Sequence, residues 1–469
     1  MQHSHEALDR EGGFSRVKLF APLKHRDFRL LWTGMCVSLL GDGIFAVAMA
    51  WQVYELSNVP TALSVVSIAL AVPWIVCLVF GGVVADRFNR RKVIFISDVA
   101  RGTAVLTIAI LSITGALELW HMIGLVGVYG AGQAFFGPSF DAIVPDLVPA
   151  KELPQANSLD QVVRPVAHRL AGPALGGLLI EIFGVGYAFL FDAGTFVVSA
   201  IAVLVMRSSG RALAHAGNSV AGDIKIGLNY IRKRNWLWAT FASAAVAYLC
   251  FMGPTEVLLP YIVKNDLDGS AGQLGLIFAA GGVASVAAAL AIGQTGLPKR
   301  DITWMYLTWT VATLAVAGYG FGDTVFVLML ASVVFNGLET VGQIIWATAK
   351  QRHVPPHLLG RVSSLDWLIS IGLLPISFAL TGPVAAAIGA QETMIAAGLL
   401  GGVVTFAALF LPNMRAVEGQ LEPAYKTESD ISPRWGSPGL VPSMGDEATR
   451  FNKDGTREEP SRTKSESAV

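Results

Sequence analysis

The chain has 469 residues, of which 53% are apolar and only 14% charged, with a mean hydropathy of +0.55. Its 34 basic and 34 acidic residues cancel, so the net charge gives no sign of a nucleic-acid partner. This composition excludes an ordinary soluble domain and is that of a polytopic membrane protein, with the lipid bilayer as its solvent.

Residues 1–27 are polar and mixed in charge, with neither the apolar core nor the small-residue cleavage pattern of a removable signal peptide. They read as a cytoplasmic N-terminal segment, which leaves targeting to the first span. An apolar run of about twenty residues crosses the roughly 30 Å hydrocarbon layer as a helix. Such runs recur at 29–55, 61–84, 93–114, 121–144, 157–181 and 185–206, giving a first half over 28–206. The stretch 207–235, with Arg211, Lys225 and the run Arg232, Lys233 and Arg234, reads as a cytoplasmic linker. Runs at 236–262, 272–295, 302–320, 325–349, 362–388 and 391–412 make a second half over 236–412. The tail 413–469 is too poor in apolar residues to fold alone and is expected to be a disordered cytoplasmic segment. Because a spanning helix satisfies its own backbone, the expected fold is all-α with twelve transmembrane helices.

Basic residues near span ends stay on the cytoplasmic side. One set of connections carries Arg87, Arg90, Arg91, Lys92, Lys151, the linker cluster, Lys299, Arg300, Lys350, Arg352 and Arg361, whereas the other carries Lys264. The expectation is a multi-pass protein of the cell membrane with both termini in the cytoplasm. Cys36, Cys77 and Cys250 lie within apolar runs, without metal or disulfide spacing, and read as packing residues.

Ionisable side chains inside a span cost about 2.5–3.5 kcal/mol each on insertion scales, so each is a functional candidate. Asp42, Arg169 and Glu339 lie near mid-span and are candidates for proton coupling or for contact with polar parts of a substrate. A fixed ion pair, Asp42 or Glu339 with Arg169, is the structural alternative. Asp192 and Glu256 fall nearer the outer ends and Arg164 nearer the inner end, which suits structural or gating roles; His168 is a further candidate for moving protons. Trp51, Phe135, Phe136 and Trp346 are candidates to line a cavity, although most aromatics at helical spacing belong to the core or face lipid. After the second span, Gly82, Asp86, Arg87, Arg90, Arg91 and Lys92 form a G-x-x-x-D-R-x-x-R-R-K loop, with Asp141 and Asp98 as acids within reach of its cations. Such a loop can hold orientation alone, or latch helix ends through ion pairs. No phosphate-binding Gly-rich loop, zinc-ligand spacing or nucleophile elbow occurs, so the sequence points to no enzyme, metal or cofactor, and an ion gradient is the expected energy source.

The Gly82 to Lys92 loop resembles the signature loop between helices two and three of the major facilitator superfamily, and six helices, linker and six helices is similar to that superfamily's plan. Gly172, Pro173, Gly176 and Gly177 resemble the G-P-x-x-G-G element of its proton-linked exporters. The segment 28–54, with Leu31, Trp32, Ser38, Gly41, Asp42 and Trp51, and the run 132–138 resemble its macrolide-efflux and enterobactin-exporter-like branch. Three positions depart from that pattern: the fourth span has no Arg, the loop at 293–301 keeps only Lys299 and Arg300, and His168 and Arg169 precede the glycines. The resemblance implies two pseudo-symmetric halves and a monomer that exports amphipathic or hydrophobic small molecules, drug-, macrolide- or siderophore-like, against protons by alternating access. A proton-linked importer or facilitator, and a non-transporting receptor or scaffold, are the alternatives.

Overall fold

The computed structural model describes residues 18–149, 152–207 and 220–418; the remaining residues, most of the expected tail among them, lie outside the described residues. The first half contains α1 (Arg26–Leu56), α2 (Pro60–Arg87), α3 (Arg90–Ile113) and α4 (Leu119–Leu147). Its fifth span is composite: α5 (Leu153–Arg164), a π-helical turn (Pro165–Ala171) and α6 (Gly172–Phe183), followed by α7 (Val185–Val205). Helix α8 (Val220–Arg232) then occupies part of the stretch read from sequence as a plain linker. The second half runs through α9 (Asn235–Tyr261) with a π turn (Ile262–Asp266), α10 (Ala271–Thr295), α11 (Asp301–Ala315) and the short α12 (Ala317–Phe321). It closes with α13 (Val325–His353), α14 (Pro356–Gly372), α15 (Leu374–Ile388) and α16 (Ala390–Ala408).

Among the described residues, ten helical segments are long and apolar enough to cross a membrane. The two other expected spans are helical too. Helix α4 is diluted by Gly, His, Tyr and Gln, and α11 ends after 15 residues, with Val316 between it and α12. The elements are therefore consistent with twelve crossings.

Local chemistry sets several boundaries. Asn89 caps α3 by accepting from the Lys92 amide, and Ser270 with Gln273 forms a reciprocal capping box on α10. Gly184 and Gly389, at φ 93° and 102°, make the tight turns α6–α7 and α15–α16, a conformation only glycine adopts freely. They hold equivalent places in the two halves. A 3-10 helix (Lys18–Lys24) precedes α1, and the chain beyond α16 continues in turns to Glu418, where Met414 and Val417 are buried. Order thus extends past the expected start of the tail at 413, because these two apolar side chains dock on the second half.

Many large apolar side chains on the outside of the helices are exposed, among them Ile110, Leu178, Val197, Leu290, Phe326 and Val403, as expected of a surface bathed in lipid. Inside, the core divides by level. At the end away from the termini one continuous core joins both halves, with Tyr54, Leu63 and Phe189 of the first and Val257, Ile277 and Phe378 of the second. At the terminal end there are two separate cores, one around Phe28, Ile94 and Phe140 and the other around Trp236, Tyr306 and Trp346. The halves are sealed together at the far end and part from one another toward the termini.

Candidate functional site

The far-end seal uses hydrogen bonds as well as apolar contact. Tyr54 donates to the Val257 carbonyl at 2.5 Å and packs edge-on against Tyr261, and Asn58 donates to Asn265 at 2.5 Å. Trp51 stands beside this seal with the Lys264 ammonium 5.3 Å over its ring.

The G-P-x-x-G-G element lies where three helices cross. Gly172 faces Gly43 of α1, Gly176 faces Ile44, and Gly177 faces Gly272 and Gly275 of α10, while the Pro173 carbonyl lies against Gly275. A Cβ at Gly177 would sit 3.1 Å from the Cα atoms of both Gly272 and Gly275, so small residues let the halves approach through their backbones.

Asp42 faces the inside of the first half. Tyr129 of α4 donates to its Oδ1 at 2.6 Å, and Arg101 of α3 lies 3.5 Å from the same oxygen. Arg101 also bridges to Asp98 at 2.7 Å, and Ser199 of α7 donates to the other Asp98 oxygen at 2.7 Å. The guanidinium is sandwiched 4.7 Å from the Phe136 ring and 4.6 Å from that of Phe196. Asp192 lies against Gly41, accepts a hydrogen bond from Thr195, and keeps Oδ2 without a hydrogen-bond partner. Asp42, Asp98, Arg101 and Asp192 are all buried. Two carboxyls share one guanidinium, and a third, Asp192, is buried close by against Gly41, so the set holds more acids than cations.

A second charged group spans the cleft between the halves. Arg169, on the π turn, is half exposed and meets Glu339 of α13 at 3.7 Å. Tyr248 of α9 accepts from Gln343 of α13 at 3.0 Å, and Phe251 packs edge-on against Phe335. A π turn widens the helix and exposes backbone and side chains, as is common at functional sites.

Of the loop after the second span, Gly82, Asp86 and Arg87 fall in the last turns of α2, but their side chains lie outside the described residues. Arg90 donates at 3.0 Å to both the Ala142 carbonyl and Asp146, and Arg91 caps the end of α7 through the Val203 and Leu204 carbonyls. Asp141 is exposed, and the cation that acts on it is Arg164, itself paired with Asp160 at 2.7 Å. Phe135 is half-buried, whereas Phe136 packs on Arg101. Trp346 is enclosed by Trp236, Phe241 and Trp309 and donates to Asp366 at 2.9 Å, and Asp366 also holds Lys350. Among the described residues, no group of His, Cys, Asp and Glu is arranged to hold a metal ion.

At the membrane edge Glu152 is held by Lys24 at 2.6 Å and His25 at 2.9 Å. The Lys24 ammonium, hydrogen-bonded to it, and His25 beside it keep this carboxyl below the usual glutamate range.

Arg101, Tyr129 and the pairing of Asp98 were not picked out from the sequence as parts of the Asp42 site. The available signal was Arg101 itself, a full charge inside an apolar run and three residues from an acid.

Two multi-helix halves that close at one end over a cleft carrying facing charges are the arrangement of a membrane transporter. The model of the transmembrane secretion effector family matches residues 17–436, and the chain belongs to that family of the major facilitator superfamily, whose members are transporters and not enzymes. The multidrug efflux pump Tap of Mycolicibacterium fortuitum is 24% identical over 393 residues, 81% of this chain and 94% of the relative. Macrolide efflux protein A of Streptococcus pyogenes is 23% identical over 387 residues, 80% of this chain and 93% of the relative. Among solved structures, the nucleoside transporter NupG superposes with a TM-score of 0.64 at 12% identity, over 81% of this chain and 98% of the other, a likeness of fold.

Proposed function

We propose that the chain is a proton-coupled exporter of amphipathic or hydrophobic small molecules that works by alternating access in the cell membrane, with both termini cytoplasmic. The observation that carries this reading is the buried pair of Asp42 and Asp98 on Arg101 with Asp192 buried nearby, an excess of acids over cations that protonation would relieve. The relatives named as multidrug and macrolide efflux pumps support the direction and the substrate class.

By the distribution of basic residues, the terminal end faces the cytoplasm, so the cleft between the halves is open to the cell interior. A substrate enters there and meets the Arg169 and Glu339 pair. Proton arrival at Asp42 from the opposite side weakens its hold on Arg101 and Tyr129, which link α1 to α3 and α4. Helix α1 carries both Asp42 and the Tyr54 contact, so a change at the carboxyl is transmitted to the far-end seal. Arg90, through Asp146, and Arg91, through the end of α7, would act with Gly82, Asp86 and Arg87 of the same loop as the cytoplasmic latch of the first half, and Asp141 would join it only by way of Arg164. Pro173 and Gly177, against Gly272 and Gly275, would be the surface on which the halves rock, with Gly172 and Gly176 holding α6 close to α1 behind it.

Purified protein in liposomes with an imposed pH gradient, offered macrolides, dyes and siderophores, tests this. Movement against the proton flow is expected. Movement with it would make the protein an importer, and no movement of any solute would remove the transporter mechanism altogether.

A further inference from the structure

The wall that the second half presents to the cleft is built from two helical stripes at i, i+4, i+8 spacing: Tyr248, Met252 and Glu256 on α9, and Phe335, Glu339 and Gln343 on α13. The Tyr248 to Gln343 hydrogen bond ties the stripes together at 3.0 Å. Facing them from the first half are His168 and Arg169, both exposed on the π turn. Arg169 can neutralise one carboxylate, and the one it meets is Glu339. Glu256 is exposed, feels His168 and Arg169 from across the cleft, and among the described residues makes no ion pair or hydrogen bond. The cleft therefore holds one acid more than its guanidinium can balance, next to a soft thioether and two aromatic rings that suit an apolar or cationic surface.

We propose that Glu256 receives the positive centre of a monocationic amphipathic substrate whose apolar body lies along Met252, Tyr248 and Phe335. This rests on the exporter reading and narrows it to organic cations. The Arg169 and Glu339 pair sets the strength of the site, because Arg169 competes with the substrate for the negative charge of the wall. Proton coupling at Asp42 is left separate: that set is buried within the first half, whereas Glu256 faces the cleft.

The test uses the full chain in nanodiscs with two probes, tetraphenylphosphonium, a permanent cation, and triphenylphosphine oxide, a neutral relative. E256Q is expected to weaken the cation about tenfold or more and to leave the oxide within about twofold, since only the cation loses a charged partner. R169Q, which leaves both carboxylates to the ligand, is expected to tighten the cation about threefold or more, and it reads out the site even where E256Q fails to fold. Unchanged cation binding in E256Q, equal loss of both probes, or weaker cation binding in R169Q overturns the assignment. Gradient-driven export of the oxide with no binding of the phosphonium overturns it and leaves the exporter reading standing. Absence of gradient-driven transport for every solute removes that reading, and this assignment with it.

Discussion

Gly43 and Gly172 meet backbone to backbone where α1 crosses α6: a Cβ on Gly172 would lie 2.6 Å from the Cα of Gly43, and one on Gly43 would lie 2.9 Å from the Cα of Gly172. Backbone cannot swing aside as a side chain can, so G172A must push the two helices apart. Overpacking of this kind costs about 1–3 kcal/mol. The variant is expected to melt several degrees lower in detergent than the parent, and an unchanged melting temperature would mean that the crossing is looser than described.

The Asp42 carboxyl is the member of the buried set that touches both Arg101 and Tyr129. In D42N the amide oxygen still accepts from Tyr129, but the side chain can no longer exchange a proton. Transport driven by a pH gradient should fall about tenfold or more, while substrate exchange without a gradient persists. Wild-type response to the gradient would exclude Asp42 as the proton carrier.

Arg101 is buried and serves two carboxyls and two rings. R101A would leave its acids without a counter-charge, and breaking a buried pair in this way costs about 3–5 kcal/mol. Little folded protein is expected from R101A. R101K keeps the charge but neither the fork nor the flat stacking surface, and should fall between the two. Size-exclusion profiles of the fused fluorescent proteins would rank them; an R101A profile matching wild type would show that these carboxyls are held neutral throughout.

The Glu152 bridge lies outside the spans and has a definite pH sign. Its carboxyl is depressed by Lys24 and His25, so its contribution is fully present above the ordinary glutamate value, about 4.3, and is lost as pH falls through the lower folded value. The N-terminal 3-10 helix should therefore stay docked at pH 7 and loosen only under strong acid. E152Q should loosen it already at neutral pH and flatten that dependence. Proteolysis near Lys24 gives the measure, with equal cleavage rates for the two proteins at pH 7 counting against the bridge.

Much of the scaffold was legible because membrane solvation writes itself into the sequence as long apolar runs, and the structure moves most expected span ends by only a few residues. The turns beyond Pro412 and helix α8 were harder to read, since each is short and gains its order from docking. The mid-span charges were found, but their partners were not fully separable. The pairing of Arg169 with Glu339 was among the alternatives, whereas Asp42 turns instead to Arg101. Sequence gives the level of a residue in the membrane, and the facing direction depends on helix rotation. The same limit explains Trp346, buried in an aromatic nest, and Glu256, expected toward the outer end yet exposed to the cleft.

The division of the core by level also sorts the effect of sequence change. A defect near Phe28 or Trp236 falls within a single half and leaves its sibling's interior intact. One near Tyr54 or Val257 strikes the shared keystone, so damage there is felt by both partners at once. Evolution can thus retune each lower compartment on its own, while the upper junction must change in step on two sides.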